Sequence, residues 1–214
     1  MGQIILASAS PRRRQLLEQI GLIFEICPAK GEERATAGEP EKVVMELAAA
    51  KAEEVAAMIG SYGRRHSELI TPQDILVIGA DTVVACEGRI LGKPRDDEEA
   101  FSMLSQLSGR THAVCTGVAL ILTEASGAVR KRTFYEKTLV TMGVMDPQEI
   151  RRYIATGEPA DKAGAYGIQG KCAIYIDKID GDYNNVVGLP VAALYRELKK
   201  MEIDLYKWQE RKNL

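Results

Sequence analysis

Asp81 is the only charged residue in the apolar run from Ile75 to Cys86. An ionised carboxylate among valines and isoleucines costs several kcal/mol unless it is paired, metal-bound or open to a cleft. Gly79 and Ala80 before it leave room for another group to approach the backbone. Asp81 therefore reads as a working carboxylate, the alternative being a bend capped by its side chain. Cations accompany it elsewhere in the chain. Ser8-Ala9-Ser10-Pro11-Arg12-Arg13-Arg14 follows a short apolar run, with Ser10 placed to cap a helix and Pro11 preset at its first position. The unpaired N–H groups of such a helix start attract anions, while cations beside them are mildly unfavourable. Arginines gathered there imply that an anion, such as a phosphate chain, is expected.

Lys51 adds to this charge. It falls four residues after Leu47 and four before Val55, on the apolar stripe of its helix, so its ammonium either snorkels to solvent or reaches inward to a phosphate. Lys93 sits in Gly92-Lys93-Pro94-Arg95-Asp96, a loop directly before a helix, with no GxxxxGK[ST] pattern of a P-loop. Glu32 and Glu33, in a polar stretch, either supply oxygens to a metal or are simply solvated. Asp161 to Gly170 is rich in glycine, which lets backbone approach a planar ligand. Within it Gln169 offers both donor and acceptor to a base edge. His112 has no Ser or Cys partner at a telling position and reads as structural.

The elements that must position these groups alternate between strand and helix, which predicts an α/β architecture. Strands are expected at the apolar start of the chain, at Ile23–Cys27, Ile75–Cys86, Arg89–Leu91, Thr111–Thr123, Val129–Met142 and Ala173–Ile179. Helices are expected after Ser10, from Pro40 to Met58, from Asp96 to Leu107, from Asp146 to about Gly157, and from Pro190 to Met201. Asp96 with Glu99, and Asp146 with Glu149, have the spacing of capping boxes. Gly60 to Pro72 reads as a polar surface connection, and the tail after Met201 as a frayed helical extension.

Composition narrows the function classes. The chain of 214 residues is 46% hydrophobic, enough for one sizeable domain and too apolar for disorder. Its formal net charge of -2 argues against a general nucleic-acid or membrane-surface protein, so any cationic site is local. Four cysteines without a CxxC pair and only two histidines make a zinc site unexpected. Met1-Gly2-Gln3 leads straight into a strand, and no apolar stretch reaches the roughly 18 residues of a membrane span, so a cytoplasmic protein is expected.

Six segments in order resemble the Maf family of nucleoside triphosphate pyrophosphatases. They are Ser8 to Arg13, Gly79-Ala80-Asp81-Thr82-Val83-Val84, Gly92-Lys93-Pro94, Leu107 to His112, Asp161 to Gly170, and Val186-Val187-Gly188-Leu189-Pro190. The resemblance implies an elongated mixed sheet flanked by helices around a central nucleotide-binding cleft, Maf/ITPase-like, usually dimeric. One α/β domain of two lobes would occupy residues 1–200, with a tail at 201–214. The implied reaction is metal-assisted attack of water on the α-phosphorus of a nucleoside triphosphate, releasing the monophosphate and pyrophosphate. The Tyr166-Gly167-Ile168-Gln169-Gly170 stretch resembles the branch that acts on dTTP and UTP. By the same matching Asp81 is the proton acceptor. Ser8, Arg13, Lys51 and Lys93 contact phosphates, and Arg12, Thr82 and Gln169 set base preference. Glu33 joins Asp81 in holding Mg²⁺ or Mn²⁺, and Arg14 is a surface residue. Ala9 stands where the family often has glycine, and Gly170-Lys171-Cys172 lacks a second glycine pair. A second reading from the same resemblance is a nucleotide-binding regulator of septum formation for which hydrolysis is not essential. Neither reading involves a nucleic-acid or membrane partner.

Overall fold

The computed structural model describes residues 2–32, 34–65, 73–205 and 208. Seven strands form one mixed sheet: β1 (Gly2–Leu6), β2 (Glu25–Ile26), β3 (Asp74–Cys86), β4 (Arg89–Leu91), β5 (Thr111–Thr123), β6 (Val129–Met142) and β7 (Ile176–Asp180). Their order is β2-β1-β3-β5-β6-β7, with β4 attached to the far end of β3. Six helices cover it: α1 (Pro11–Gln19), α2 (Pro40–Arg65), α3 (Asp97–Leu107), α4 (Pro147–Ile154), α5 (Tyr183–Val187) and α6 (Val191–Lys200).

The long strand β3 organises the molecule. Its first half pairs in parallel with β1, ending at Leu6 opposite Ile78. Its last residues pair antiparallel with β4, beginning at Val84 opposite Leu91. On its other edge β5 runs alongside without a break from Ile75 to Ala85. Between Ile78 and Val84, therefore, the β1 side of β3 has no ladder partner among the described residues. Asp81 and Thr82 lie in that open stretch.

Strand alternation sends these two side chains to opposite faces. On the face of Asp81, α2 packs over Ile5, Val77, Ala119 and Ile121 through Ala48, Ala52 and Val55. Two glycines allow that approach. A Cβ on Gly79 would fall 2.4 Å from the carbonyl oxygen of Ala48, and one on Gly117 would fall 2.3 Å from that of Val44. On the face of Thr82, α1 and α6 pack over Leu6, Ile78 and Leu120. Further along, α3 and α4 close a second cluster around Val84, Leu104 and Val140.

Several sequence expectations shift by small amounts. The predicted strand over Ile23–Cys27 narrows to Glu25–Ile26. The long helix does not stop before Gly60 but continues to Arg65. A helical glycine costs only about 1 kcal/mol relative to alanine, which the well-packed first half of α2 outweighs. The remainder of the predicted connection, residues 66–72, lies outside the described residues. Asp146 and Glu149 form the full reciprocal box. Asp96 caps α3 by accepting from the backbone of Glu99, but the Glu99 carboxylate turns back to the N–H of Arg95 instead of Asp96. The predicted strand from Ala173 begins as a 3₁₀ turn, Lys171–Tyr175, and becomes extended only at Ile176. The tail is not simply frayed: Met201, Ile203 and Leu205 are buried in the main core.

Candidate active site

A cleft of about 890 Å³ opens over the unpaired stretch of β3 and is lined by residues from both ends of the chain, including Ser8, Arg12, Arg13, Lys51, Asp81, Thr82, Lys93 and Gln169. The structure thus gathers these eight residues, far apart in sequence, around one space. Glu33 lies outside the described residues.

At the α2 wall Lys51 turns inward, and its partner there is a carboxylate. Its Nζ donates to Asp81 Oδ1 at 2.5 Å. Both side chains are largely buried, at 16% and 11% exposure, so the ammonium supplies the counter-charge that an apolar strand demands of its carboxylate. Asp81 Oδ2 accepts no hydrogen bond from any described residue. The loop that follows β2 is held along the same helix. Glu54 accepts from the backbone N–H groups of Lys30 and Gly31, and Glu46 from those of Thr36 and Ala37. These bonds hold both carboxyls below their ordinary range.

At the other wall the start of α1 is built as its sequence implies. Ser10 caps it by accepting from the Arg13 N–H, and Pro11 occupies the first turn. Arg13, however, is woven into the protein and does not simply project into the cleft. Its Nε donates to Gly188 O at 2.8 Å, its Nη1 to Ser8 Oγ at 3.1 Å and its Nη2 to Thr82 Oγ1 at 3.0 Å. One guanidinium thereby ties the first strand–helix junction to β3 and to the end of α5. Arg14 pairs with Glu18 at the surface, as expected.

Behind Thr82 runs a polar column that sequence reasoning did not find. Thr116 Oγ1 donates to the carbonyl of Asn185 and lies 2.9 Å from Thr82 Oγ1. Because Thr116 has one hydroxyl proton, already committed, Thr82 must be the donor between them. The sense is Arg13 to Thr82 to Thr116 to the Asn185 carbonyl. The Asn185 amide in turn donates to Val114 O and Thr138 Oγ1. Thr116, Thr138 and Asn185 are all fully buried. The available signal was a single hydroxyl, Thr116, within the apolar stretch from Ala113 to Leu122, but its meaning depends on cross-strand register.

The rims differ in how far their groups are committed. Arg12 Nη1 reaches Asp161 Oδ2 at 3.0 Å, and Lys162 Nζ reaches Asp161 Oδ1 at 2.6 Å. Burial pushes the Asp161 carboxyl up, but Lys162 and Arg12 outweigh it and hold it below its ordinary value. Lys93, exposed on the loop after β4, has no hydrogen bond or ion pair with a described residue; a bond from Gly164 N to Gly92 O anchors its loop. Gln169, on the wall of the cleft, likewise has no side-chain hydrogen bond with a described residue. His112 has the structural place expected of it. It is buried, its Nε2 lies 2.8 Å from the Tyr166 hydroxyl, and desolvation lowers its pKa to about 4.

Such an arrangement can receive a polyanion. A charge-paired carboxylate lies on an open strand, cations approach from three directions, and an amide and glycine-rich backbone face the same space. Comparison with known proteins agrees. A family model described as Maf-like protein matches residues 3–201. A dTTP/UTP pyrophosphatase of Agathobacter rectalis is 62% identical over 205 residues, covering 96% of this chain and 100% of that protein. One of Bacillus cereus is 48% identical over 206 residues, covering 96% and 98% respectively. A solved nucleoside-triphosphatase / dITP/XTP pyrophosphatase of Mycobacterium abscessus covers 66% of this chain and 74% of its own, at 17% identity and a TM-score of 0.36, too slight a likeness to decide anything. The family match takes in both rims of the cleft and the open stretch of β3 between them, and the chain belongs to the Maf family.

Proposed function

We propose that this protein hydrolyses pyrimidine nucleoside triphosphates, dTTP and UTP, to the nucleoside monophosphate and pyrophosphate. The observation that carries the reading is the Lys51–Asp81 pair, set on the one stretch of β3 that faces open cleft. The names of the 62% and 48% identical relatives support the same substrates.

Phosphoanhydride cleavage needs neutralised phosphate charge and a positioned water, with little covalent help from the protein. Lys93 is the cation of the cleft with no partner among the described residues, and it approaches from the β4 side to meet the phosphate chain. Lys51, Ser8 and the start of α1 meet it from the other. Asp81 Oδ2 orients the attacking water and takes its proton as oxygen bonds to the α-phosphorus. The bond from that phosphorus to its bridging oxygen breaks, and pyrophosphate leaves with the electron pair. Lys51, held against Oδ1, keeps the carboxylate aimed before the water arrives. Arg12, Thr82 and Gln169 then face the sugar and base.

A divalent cation fits this donor set as a companion of the substrate. Among the described residues no three His, Cys, Asp or Glu side chains gather to form a cage. Mg²⁺ or Mn²⁺ that keeps several waters and binds the triphosphate needs only one or two carboxylates, for which Asp81 and Glu33 are the candidates. When bound it would neutralise phosphate charge. The reading also takes residues 1–200 as a single catalytic domain with 201–214 as its tail, in a cytoplasmic homodimer, testable by light scattering. A regulator of division without hydrolysis is not favoured, because the relatives are named as pyrophosphatases and a pure sensor has no use for a carboxylate on an apolar strand.

The test is direct. Purified protein with dTTP and Mg²⁺ should yield dTMP and pyrophosphate. Asp81→Asn should lower that rate by about 10²–10⁴-fold, the usual contribution of a general base, while nucleotide binding survives. Release of dTDP and orthophosphate would overturn the site of attack, and near-normal turnover in the variant would overturn the role of Asp81.

A further inference from the structure

Gln169 is presented by a tight turn, closed by a bond from Gly170 N to Gly167 O. Both flanks of the turn are fastened to one pair of side chains outside it. The Tyr153 hydroxyl, on α4, accepts from the buried N–H of Gly167 at 3.0 Å and donates to Glu158 Oε1 at 2.8 Å. The other oxygen, Glu158 Oε2, accepts from the N–H of Lys171 at 2.9 Å. The carboxylate presses so closely on the turn that a Cβ on Gly170 would lie 2.2 Å from it. Burial holds the Tyr153 phenol protonated, so its one hydrogen is available for Glu158 throughout the ordinary pH range. The carbonyl of Glu158 also accepts from Lys162 Nζ, which connects the clamp to Asp161 and Arg12 on the opposite rim.

From this geometry we infer that Tyr153 and Glu158 are positioning residues for base selection: they fix the turn that aims Gln169, and through it set the preference for a pyrimidine. Tyr153 acts from behind the turn, by orienting backbone. The inference rests on the proposed reaction and on Gln169 facing the base. Fixing both flanks matters because a free glycine-rich turn samples many conformations, and ordering it would otherwise draw on binding energy at each encounter.

The test compares kcat/KM for dTTP, for dATP and for ribose 5-triphosphate, which carries the same phosphate chain without a base. Tyr153→Phe should lose about tenfold on dTTP, mostly in KM, and lose discrimination against dATP to match. Its turnover of ribose 5-triphosphate should be unchanged. Glu158→Gln, which keeps the volume but sets an amide where a carboxylate accepts two bonds, should shift the same ratio. It carries the test alone if the first variant does not fold. Adding Tyr153→Phe to Gln169→Ala should cost nothing more on dTTP, since both act through one side chain. Equal losses on dTTP and ribose 5-triphosphate, or additive losses in the double variant, would overturn the assignment. Wild-type protein that releases no pyrophosphate from any of the three would instead remove the proposed reaction, and this inference with it.

Discussion

Thr116→Val tests whether the buried polar column holds the cleft together. Valine has nearly the shape of threonine, so no cavity opens in β5. What is lost is one oxygen with two bonds: to the Asn185 carbonyl at 2.9 Å and from Thr82 at 2.9 Å. Leaving a buried polar group unpaired costs about 1–3 kcal/mol. The Asn185 carbonyl, inside a fully buried residue, should cost near the upper end. Thr82 is only half-buried and its hydroxyl can turn towards the cleft, so its share is near the lower end. The sum is about 4 kcal/mol, which for a chain of this size corresponds to a fall in Tm of roughly 8–16 °C. Urea denaturation followed by circular dichroism measures the first figure, and a thermal scan the second. Thr116→Ser keeps the oxygen and loses a methyl, and should cost about 1 kcal/mol. The order of the two variants is the decisive result. If valine is tolerated as well as serine, the column is incidental, and the account of how Thr82 and Arg13 are held is refuted. Pyrophosphate release should follow the same order, because Thr82 links the column to Arg13.

Lys93→Ala should leave stability within about 0.5 kcal/mol, as it removes an exposed side chain with no partner among the described residues, yet raise KM for the triphosphate. A KM unchanged by this variant would remove Lys93 from the phosphate site. Gly117→Ala should lower both stability and activity, because its Cβ would fall 2.3 Å from the backbone oxygen of Val44 and push α2, with Lys51, off the sheet. Calorimetry showing wild-type Tm would contradict it. His112 titrates at about 4 in the folded protein against 6.5 in its ordinary state, so the unfolded chain binds the proton first as pH falls. Its contribution is therefore fully present above about pH 6.5 and is lost progressively towards pH 4, by about 3 kcal/mol in total. His112→Phe should flatten the stability profile between those limits by close to one proton, measured by urea titration at several pH values; an unchanged slope would mean that the imidazole is not the titrating group.

Much of this was legible in the sequence where one residue's neighbours along the chain decide its fate. Asp81 announced itself by being charged in an apolar run, and Lys51 by its place on a helical stripe. Long strands such as Thr111–Thr123 and Val129–Met142 carried enough alternating or continuous apolar pattern to be bounded to the residue. What escaped was whatever depends on register or on distant chain. The sequence marks Arg13 only for phosphate; its place as the tie between the first strand–helix junction, β3 and the end of α5 is set by Gly188 and Thr82, which meet it only after folding. Tyr153 and Glu158 gave no local sign of holding a turn some ten residues away. Helix α5 is too short to leave a period, and its buried Asn185 is recognisable only by what β5 and β6 place around it.

The open stretch of β3 also acts as a ruler. Six steps of strand separate Ile78, where β1 lets go, from Val84, where β4 takes hold, a span of about 20 Å. Both banks of the cleft are moored to this one strand, and β5 braces it without interruption along its far side. The distance between banks is therefore counted in residues. One residue inserted between Ile78 and Asp81 would exchange the faces of Asp81 and Thr82, taking the carboxylate from Lys51 and the hydroxyl from Thr116. Two would restore the faces but draw the banks apart by almost 7 Å. Chain length at this point is as much a part of the site as any side chain.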